Sequence, residues 1–291
     1  MLINSYVSYA LSVLGRSERT VTEYAKEIRA FARWLAPDLD ASESLPLAVR
    51  SDVNAYLEHC LKNGNAPSTR ARKISALRMF YNFLVEQGVI DVNPIATMPR
   101  PSVPRPMPRF LNIDDCRLLI RTARARNDIF YRRRNTCIIV LFLNIGLRLS
   151  ELAGITLPDI YSDVILIKGK GNRERFVYLN KSCQRAVRLW MSHRRSESDK
   201  LFVSKQGEPL SPSSIYSVVK NLLTEAGLGD RHLSPHKLRH TCATLMYMSG
   251  TDIRLLQGVL GHASIATTEI YTHIMSEQMM DAFRNHPLAE F

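Results

Sequence analysis

The sequence is poor in the features that mark disulfide-stabilised, zinc-binding and membrane-spanning proteins. Its 291 residues include five cysteines, an odd number that is scattered along the chain without a C-x-x-C pair. This spacing excludes a disulfide framework and is typical of reduced core cysteines in a cytosolic protein. No apolar run approaches the roughly 18 residues that a membrane helix needs. The N-terminus also lacks the basic segment and cleavage site of a signal peptide, so we expect a cytoplasmic protein.

Acidic residues are scarce relative to basic ones. The chain has 27 Asp and Glu against 39 Lys and Arg, which gives a net charge of +12 at pH 7. A surplus of this size favours a polyanionic partner and speeds the encounter with it. Charge alone fits DNA, RNA or an anionic membrane equally well. The sequence has no internal repeat and no low-complexity segment that would point elsewhere.

A proline-rich segment separates two regions of the chain. Residues 1–94 contain four apolar patterns at helical spacing and predict a small helical domain. Residues 95–108 predict a linker, because their prolines exclude a helix or a central strand. Residues 109–291, with a tail at 275–291, contain further helices and a glycine turn that joins two short strands. We therefore expect two domains, the second with mixed secondary structure.

Near the C-terminus, a predicted helix start carries side chains that suit a phosphate. Ser234 is a favoured N-cap residue, and Pro235 fits the first helical position, where its missing N–H has no cost. His236 and Arg239 then fall at i and i+3, on one face of the first turn. The free backbone N–H groups and the helix dipole favour an anion at this end.

Several ordered motifs resemble those of one enzyme family. Beyond His236 and Arg239, a Gly-His pair at 261–262 precedes Tyr271 by nine residues. This arrangement resembles the C-terminal signature of the tyrosine recombinases, or phage integrase family. The family also has an arginine within a Gly-Leu-Arg-x-Ser-Glu-Leu segment and a lysine on a β-hairpin. Arg148 within 146–152 and Lys170 within 168–175 match them.

The resemblance implies a mainly α fold with two domains. The N-terminal one would be a four-helix SAM-like core-binding domain, and the C-terminal one a mixed α+β catalytic domain with a small β-hairpin. The length and the chain end resemble the Xer-type chromosome and plasmid resolvases of bacteria. Ile145 departs from the family pattern, in which a small polar residue often precedes Gly-Leu-Arg. We expect this to alter the packing behind Arg148 and to leave the chemistry unchanged.

The resemblance also implies a role for each motif residue. Tyr271 would attack a DNA phosphodiester and form a 3′-phosphotyrosine, with His236 taking its proton. Arg148 and Arg239 suit the non-bridging oxygens, because guanidinium groups match phosphate oxygens in pairs and keep their charge. Three further residues have implied roles. His262 would donate a hydrogen bond to the phosphate, Lys170 would protonate the leaving 5′-oxygen, and Glu151 would orient its neighbours. This chemistry needs no metal, ATP or other cofactor.

Alternative assignments remain open for two of these roles. His240 competes with His236 as the base, since both share a helix face. Lys168 or Arg173 competes with Lys170 as the acid. Zinc binding by His232, His236 and His240 is disfavoured, because no carboxylate or cysteine pair completes a ligand set.

Basic residues outside these motifs suggest how the protein holds DNA. On the fourth N-terminal helix and in the linker, the candidates are Arg70, Arg72, Lys73, Arg78, Arg100 and Arg105. A solvated helix face and a soluble spacer are the simplest interpretations of these cations. Beside the family motifs, contacts with backbone phosphates are favoured, with a few side chains that read bases in the major groove.

The resemblance further implies partners and a cellular setting. We expect double-stranded DNA, a homotetramer or a heterotetramer with a paralogue on synapsed sites, and no membrane. An apolar set in the tail would dock on a neighbouring subunit or fold back on its own domain: Met279, Met280, Phe283, Leu288 and Phe291. Chromosome-dimer or plasmid resolution in a bacterial nucleoid is the expected role. The alternatives are an integrase or transposase of a mobile element, a nicking and closing topoisomerase, and a DNA-binding protein that no longer cuts.

Overall fold

The fold is that of a mostly helical chain with two compact units. The computed structural model describes residues 1–102, 110–169, 174–231, 233–260 and 283–290. The chain divides into Met1–Pro106 and Met107–Phe291. In the described ranges, no helix is both long and apolar enough to cross a membrane.

The first unit contains five helices where the sequence predicts four. They are α1 Leu2–Ser12, α2 Glu18–Leu35, α3 Ala41–Leu47, α4 Arg50–Lys62 and α5 Pro67–Glu86. The short α3 was not predicted, because its seven residues contain Pro46 and are too few for a periodic pattern. Its Leu45 is nevertheless fully buried. The helical character predicted for the unit is confirmed.

Aromatic side chains fill the core of the first unit. The apolar faces of α2 and α5 meet there. Tyr6 of α1 packs edge-on against Phe80, with ring centroids 5.6 Å apart. Leu61 near the end of α4 is 52% exposed. It precedes the last residue of α4, where the helix leaves the core.

The beginning of the predicted linker belongs to the first unit. Ile95 and Met98 are buried in its core. The Arg78 guanidinium on α5 donates to the backbone carbonyls of both residues. Residues 103–109 lie outside the described part, so the stiff segment that the prolines predict remains an expectation.

The second unit is built around one buried helix. In chain order it contains α6 Ile113–Arg124, α7 Ile129–Ile145, α8 Leu149–Gly154, β1 Val164–Lys168, β2 Glu174–Tyr178, α9 Lys181–Met191, α10 Pro212–Glu225, α11 Pro235–Met248 and α12 Ile253–Leu260. One-turn 3-10 helices lie at Leu157–Asp159 and Gly229–Arg231. The residues of α7 from Cys137 to Ile145 are all buried, and α6, α9 and α11 pack around them. All five cysteines of the chain are buried and reduced.

The two strands form an antiparallel hairpin whose register fixes which side chains face inward. Ile165 pairs with Val177, and Ile167 pairs with Arg175. Successive residues of a strand point to opposite faces. Arg175 therefore lies on the same face as the buried Ile165, Ile167 and Val177.

The described part of the tail folds back on its own unit. Phe283 and Leu288 are buried in the core of the second unit. The Asn180 side-chain amide donates both to the Phe283 carbonyl (3.3 Å) and to Asn144 Oδ1 on α7 (2.9 Å). In this single chain, Phe283 and Leu288 therefore fold back on their own domain, which is one of the two predicted arrangements. Met279, Met280 and Phe291 lie outside the described residues.

Candidate active site

The loop after α7 brings Arg148 back toward the core. Gly146 ends α7 with a φ of +62°, a conformation that side chains other than glycine rarely adopt. A Cβ on Gly146 would lie 3.0 Å from Leu260 Cδ2 and 3.2 Å from Cys242 Sγ. Glycine is therefore required by both backbone conformation and space. Two residues later, Arg148 is the N-cap of α8.

Glu151 is the buried centre of the site. It lies in the first turn of α8, and its Oε2 accepts the Arg148 backbone N–H at 2.9 Å. Its Oε1 accepts from Arg148 Nη1 at 2.7 Å. The reciprocal contact resembles a capping box, but the capping residue supplies a guanidinium. The sequence predicted that Glu151 orients its neighbours, and its contacts fit that role.

A third participant, Arg175, comes from the hairpin and was missed by sequence reasoning. Its Nη1 and Nη2 donate to the two Glu151 carboxylate oxygens at 3.1 and 2.9 Å. Its Nε donates to the Val259 carbonyl at the end of α12. The signal that could have found it is strand alternation, which places a cation on the buried face opposite Ile167.

Arg239 enters the same cluster from α11. Its Nη1 lies 3.8 Å from Glu151 Oε2 and donates to the Gly146 carbonyl at 2.7 Å, and its Nη2 donates to the Leu260 carbonyl. Burial and the neighbouring Arg148 charge lower the pKa of Arg239 to about 10, so the guanidinium stays charged at neutral pH. The predicted pair Arg148 and Arg239 is thus brought together on one carboxylate.

The charge balance of this cluster favours an anion. Three guanidinium groups share one carboxylate, which leaves a net charge of 3 − 1 = +2. Burial by itself would raise the pKa of Glu151. Hydrogen bonds from Arg175 and from the Arg148 backbone and guanidinium outweigh burial and lower the pKa to about 2. The Arg148 side chain remains 34% exposed, so the positive charge reaches the surface there.

The candidate bases lie beside the cluster on α11. His236 is exposed in the first turn, three residues before Arg239. His240 is half-buried, and its Nε2 has no hydrogen-bond partner among the described residues. Burial and the nearby Lys237 lower the pKa of His240. The greater exposure of His236 favours it as the group that meets a substrate.

Other predicted residues fall outside the described part of the chain. They are Lys170, Arg173, His232, His262 and Tyr271. Lys168, an alternative acid, is described. Its ammonium pairs with Asp159 Oδ1 at 2.9 Å, which raises the pKa of Lys168 and holds its side chain at the end of β1.

The predicted DNA-contacting residues are divided by the structure of the first unit. Arg72 is exposed and donates to Glu27 Oε1 through Nη2 at 2.7 Å. Lys73 is not on an exposed face: its ammonium is buried and donates to Glu27 Oε2 (2.6 Å) and Tyr56 (3.0 Å). In the described structure it is therefore unavailable to a phosphate, contrary to prediction. The sequence pattern placed Lys73 on the basic face, because spacing alone cannot distinguish a buried lysine that has a carboxylate partner from an exposed lysine.

The remaining predicted contacts differ in their exposure. Arg70 is half-buried and Arg100 is exposed. Arg78 uses its guanidinium on the Ile95 and Met98 carbonyls, so it holds the chain after α5. Arg105 lies outside the described residues.

The charge of Glu151 makes a testable contribution to stability. Because its pKa is lowered from 4.5 to about 2 in the folded protein, its ionised form stabilises the second unit above pH 4.5, and this contribution is lost as pH falls from 4.5 through 2. The shift corresponds to about 3 kcal/mol. Glu151→Gln should destabilise the unit at pH 7 by about 3 kcal/mol and remove this part of its acid sensitivity.

Urea unfolding at pH 2 to 7 would measure this effect. The chain has two tryptophans, and a Trp34→Phe background leaves Trp190 in the second core as the reporter. Glu225→Gln is the matched control, because Glu225 pairs with Arg126 on the surface. Parallel pH profiles for the Glu151→Gln protein and its parent would contradict the assignment.

Comparisons with known proteins match both units of the chain. Residues 3–88 match the phage integrase N-terminal SAM-like domain, and residues 109–278 match the phage integrase family. The tyrosine recombinase XerC of Caldanaerobacter subterraneus subsp. tengcongensis is 36% identical over 315 residues, which cover 99% of this chain and 87% of that protein.

Two solved structures share the fold. XerH recombinase bound to a palindromic difH substrate has a TM-score of 0.69 and 20% identity, and the match covers 97% of this chain and 94% of that one. A lambda integrase tetramer bound to a Holliday junction has a TM-score of 0.72 and 18% identity, with 95% and 76% covered. With both regions of the chain matched and a full-length relative above 30% identity, this chain belongs to the phage integrase family and is a site-specific tyrosine recombinase of the Xer type.

Proposed function

We propose that this recombinase cuts and rejoins duplex DNA through a 3′-phosphotyrosine at Tyr271 and resolves chromosome or plasmid dimers. The observation that carries the proposal is the cluster of Arg148, Arg175 and Arg239 on Glu151. It concentrates fixed positive charge beside His236, which lies three residues before Arg239 on α11. Such preorganised charge stabilises the oxygens of a phosphate in the transition state.

Each step of the proposed reaction conserves protons and bonds. His236 takes the Tyr271 proton, and the phenolate oxygen attacks phosphorus. The bond from phosphorus to the 5′-oxygen breaks as Lys170 protonates the leaving oxygen, while His262 donates to a non-bridging oxygen. The free 5′-hydroxyl of another strand then reverses these steps. Because the phosphotyrosine conserves the energy of the phosphodiester, no ATP or other cofactor enters.

Covalent trapping tests the proposed nucleophile. With a nicked duplex library from the source genome, the unaltered protein should form a DNA adduct that maps by mass to Tyr271. Tyr271→Phe should lower the adduct yield by about 1,000-fold or more, because phenylalanine has no nucleophilic oxygen. Tyr247→Phe is the control, since Tyr247 is an exposed tyrosine at the end of α11.

The products separate the proposed function from its alternatives. A plasmid with two recovered sites should yield two smaller circles, whereas a topoisomerase would only relax it. Insertion of one defined element in place of resolution would favour a mobile-element integrase. Tight binding by the unaltered protein without any adduct, even with a partner recombinase added, would favour a protein that no longer cuts.

We propose that the first unit, residues 1–94 with the linker 95–108, holds the DNA and that residues 109–291 catalyse the reaction. Arg70, Arg72 and Arg100 are the described candidates for phosphate contacts, and Arg105 remains a further one. Glu27 supports the Arg72 guanidinium, which stays exposed on α5. Phosphate contacts release counterions, so each contributes to the salt dependence of binding.

A substitution of Arg72 tests this face of α5. Arg72→Gln should weaken binding to all duplex sequences and lower the slope of log affinity against log salt by about one. Lys62→Gln on α4 is the control, because Lys62 is equally basic, exposed and paired with Glu58. Equal effects of both variants on the slope would argue against a specific contact.

We propose further that four subunits assemble on two DNA sites in the cytoplasm, at the bacterial nucleoid, as a homotetramer or with a paralogue. The tetramer of lambda integrase on a Holliday junction supports the assembly. In the described chain, Phe283 and Leu288 fill a core of the same unit. An identical acceptor exists on every subunit, so a tail can occupy its neighbour's acceptor with the same contacts.

Complementation distinguishes a tail that packs on its own subunit from one that packs on the neighbouring subunit. A chain without residues 276–291 should cut poorly, because its acceptor is empty. Adding full-length Tyr271→Phe protein, which cannot cut, should restore cleavage by the shortened chain if tails are exchanged. The adduct would then carry the mass of the shortened chain. Absence of rescue, with normal DNA binding by both chains, would assign the tail to its own subunit.

A further inference from the structure

A second concentration of positive charge lines a cavity beside the first half of α7. The cavity has a volume of about 430 Å³ and lies between the end of α6, the first half of α7 and α9. Thr136 in its wall is ten residues before Gly146 on α7, a distance of about 15 Å along the helix. The cavity is therefore separate from the cluster around Glu151. Its cationic residues are Arg124, Arg132, Arg133, Lys181 and Arg185.

Cations outnumber carboxylates in the described lining of this cavity. Among the described lining residues Glu290 is the one carboxylate, and it pairs with Lys181 at 3.2 Å. Even without Arg124, the four other cations and this carboxylate leave 4 − 1 = +3. Burial and the neighbouring Arg185 charge lower the pKa of Arg124, as expected for cations held close together. Arg132 donates only to backbone carbonyls among the described residues.

Polar atoms in the wall also lack partners. Arg133 Nε and Thr136 Oγ1 are shielded from solvent and have no hydrogen-bond partner among the described residues. Buried polar groups in folded proteins are nearly always paired, so these two atoms are available to hydrogen-bond a ligand in the cavity. Ala186 and Leu189 add an apolar side to the wall.

We propose that this cavity is a binding site for a small anion with two or more phosphate groups. Guanidinium groups match phosphate oxygens in bidentate pairs, and four arginines converge here. The volume lies within the range of small-molecule sites. Duplex DNA presents its charges along an extended line, whereas cations grouped around one cavity suit a compact polyanion. The proposal is independent of the recombination chemistry.

Calorimetric titration of the full-length chain with sodium tripolyphosphate at physiological ionic strength tests the site. Saturable binding with one ligand per chain is expected. The double variant Arg133→Gln, Arg185→Gln should bind about tenfold or more weakly, because it loses two charge-assisted contacts. Arg188→Gln should bind normally, because Arg188 is an exposed residue of α9 outside the cavity lining. Thermal unfolding of each variant checks that the fold is intact.

The ligand class is decided by comparison of probes. Tighter binding of ATP than of tripolyphosphate would identify a nucleotide, and equal binding an inorganic polyphosphate; both outcomes support the site. Equal losses in the double variant and Arg188→Gln would overturn it, as would absence of saturable binding. Displacement by a short duplex would reassign the cations to DNA, and tighter binding of hexaglutamate would reassign them to an acidic peptide. All readouts are of binding, so failure here leaves the recombinase proposal intact.

Discussion

The catalytic unit depends on one buried carboxylate that three arginines share. Glu151 receives Arg148 from its own helix, Arg175 from the hairpin and Arg239 from α11. Without the carboxylate, three like charges would have to lie together in a low-dielectric setting, which costs several kcal/mol. With it, the same charges are fixed in position and retain an excess that a phosphate can use. In the proposed mechanism, structural stability and substrate affinity therefore come from one set of contacts.

This arrangement also ties the site to the packing of the whole unit. Arg239 and Arg175 donate to carbonyls at the end of α12, and Arg239 donates to Gly146 at the end of α7. The same end of α7 contacts the tail, because Asn180 bridges Asn144 and the Phe283 carbonyl. The tail is therefore connected by hydrogen bonds to a helix end two residues from Gly146.

Much of this organisation was predictable from the sequence, and the failures have physical causes. The helix start at Ser234, the hairpin, and the convergence of Arg148 with Arg239 followed from local chemistry or the family motifs. Arg175 was missed because a cation on the inner face of a strand looks like any polar strand residue. Lys73 was assigned to DNA because its partner, Glu27, lies 46 residues away and no spacing rule connects them. In both cases the deciding contact is long-range.

The burial of all five cysteines has a practical consequence for measuring conformational changes of this enzyme by fluorescence. Burial raises the pKa of the Cys116, Cys137, Cys183 and Cys242 thiols, so little reactive thiolate forms in the native fold. A single cysteine placed on the surface would react with a fluorescent dye far faster than the native ones. The natural sequence is thus already a suitable background for distance measurements between the two units, or between subunits, with no native thiol removed.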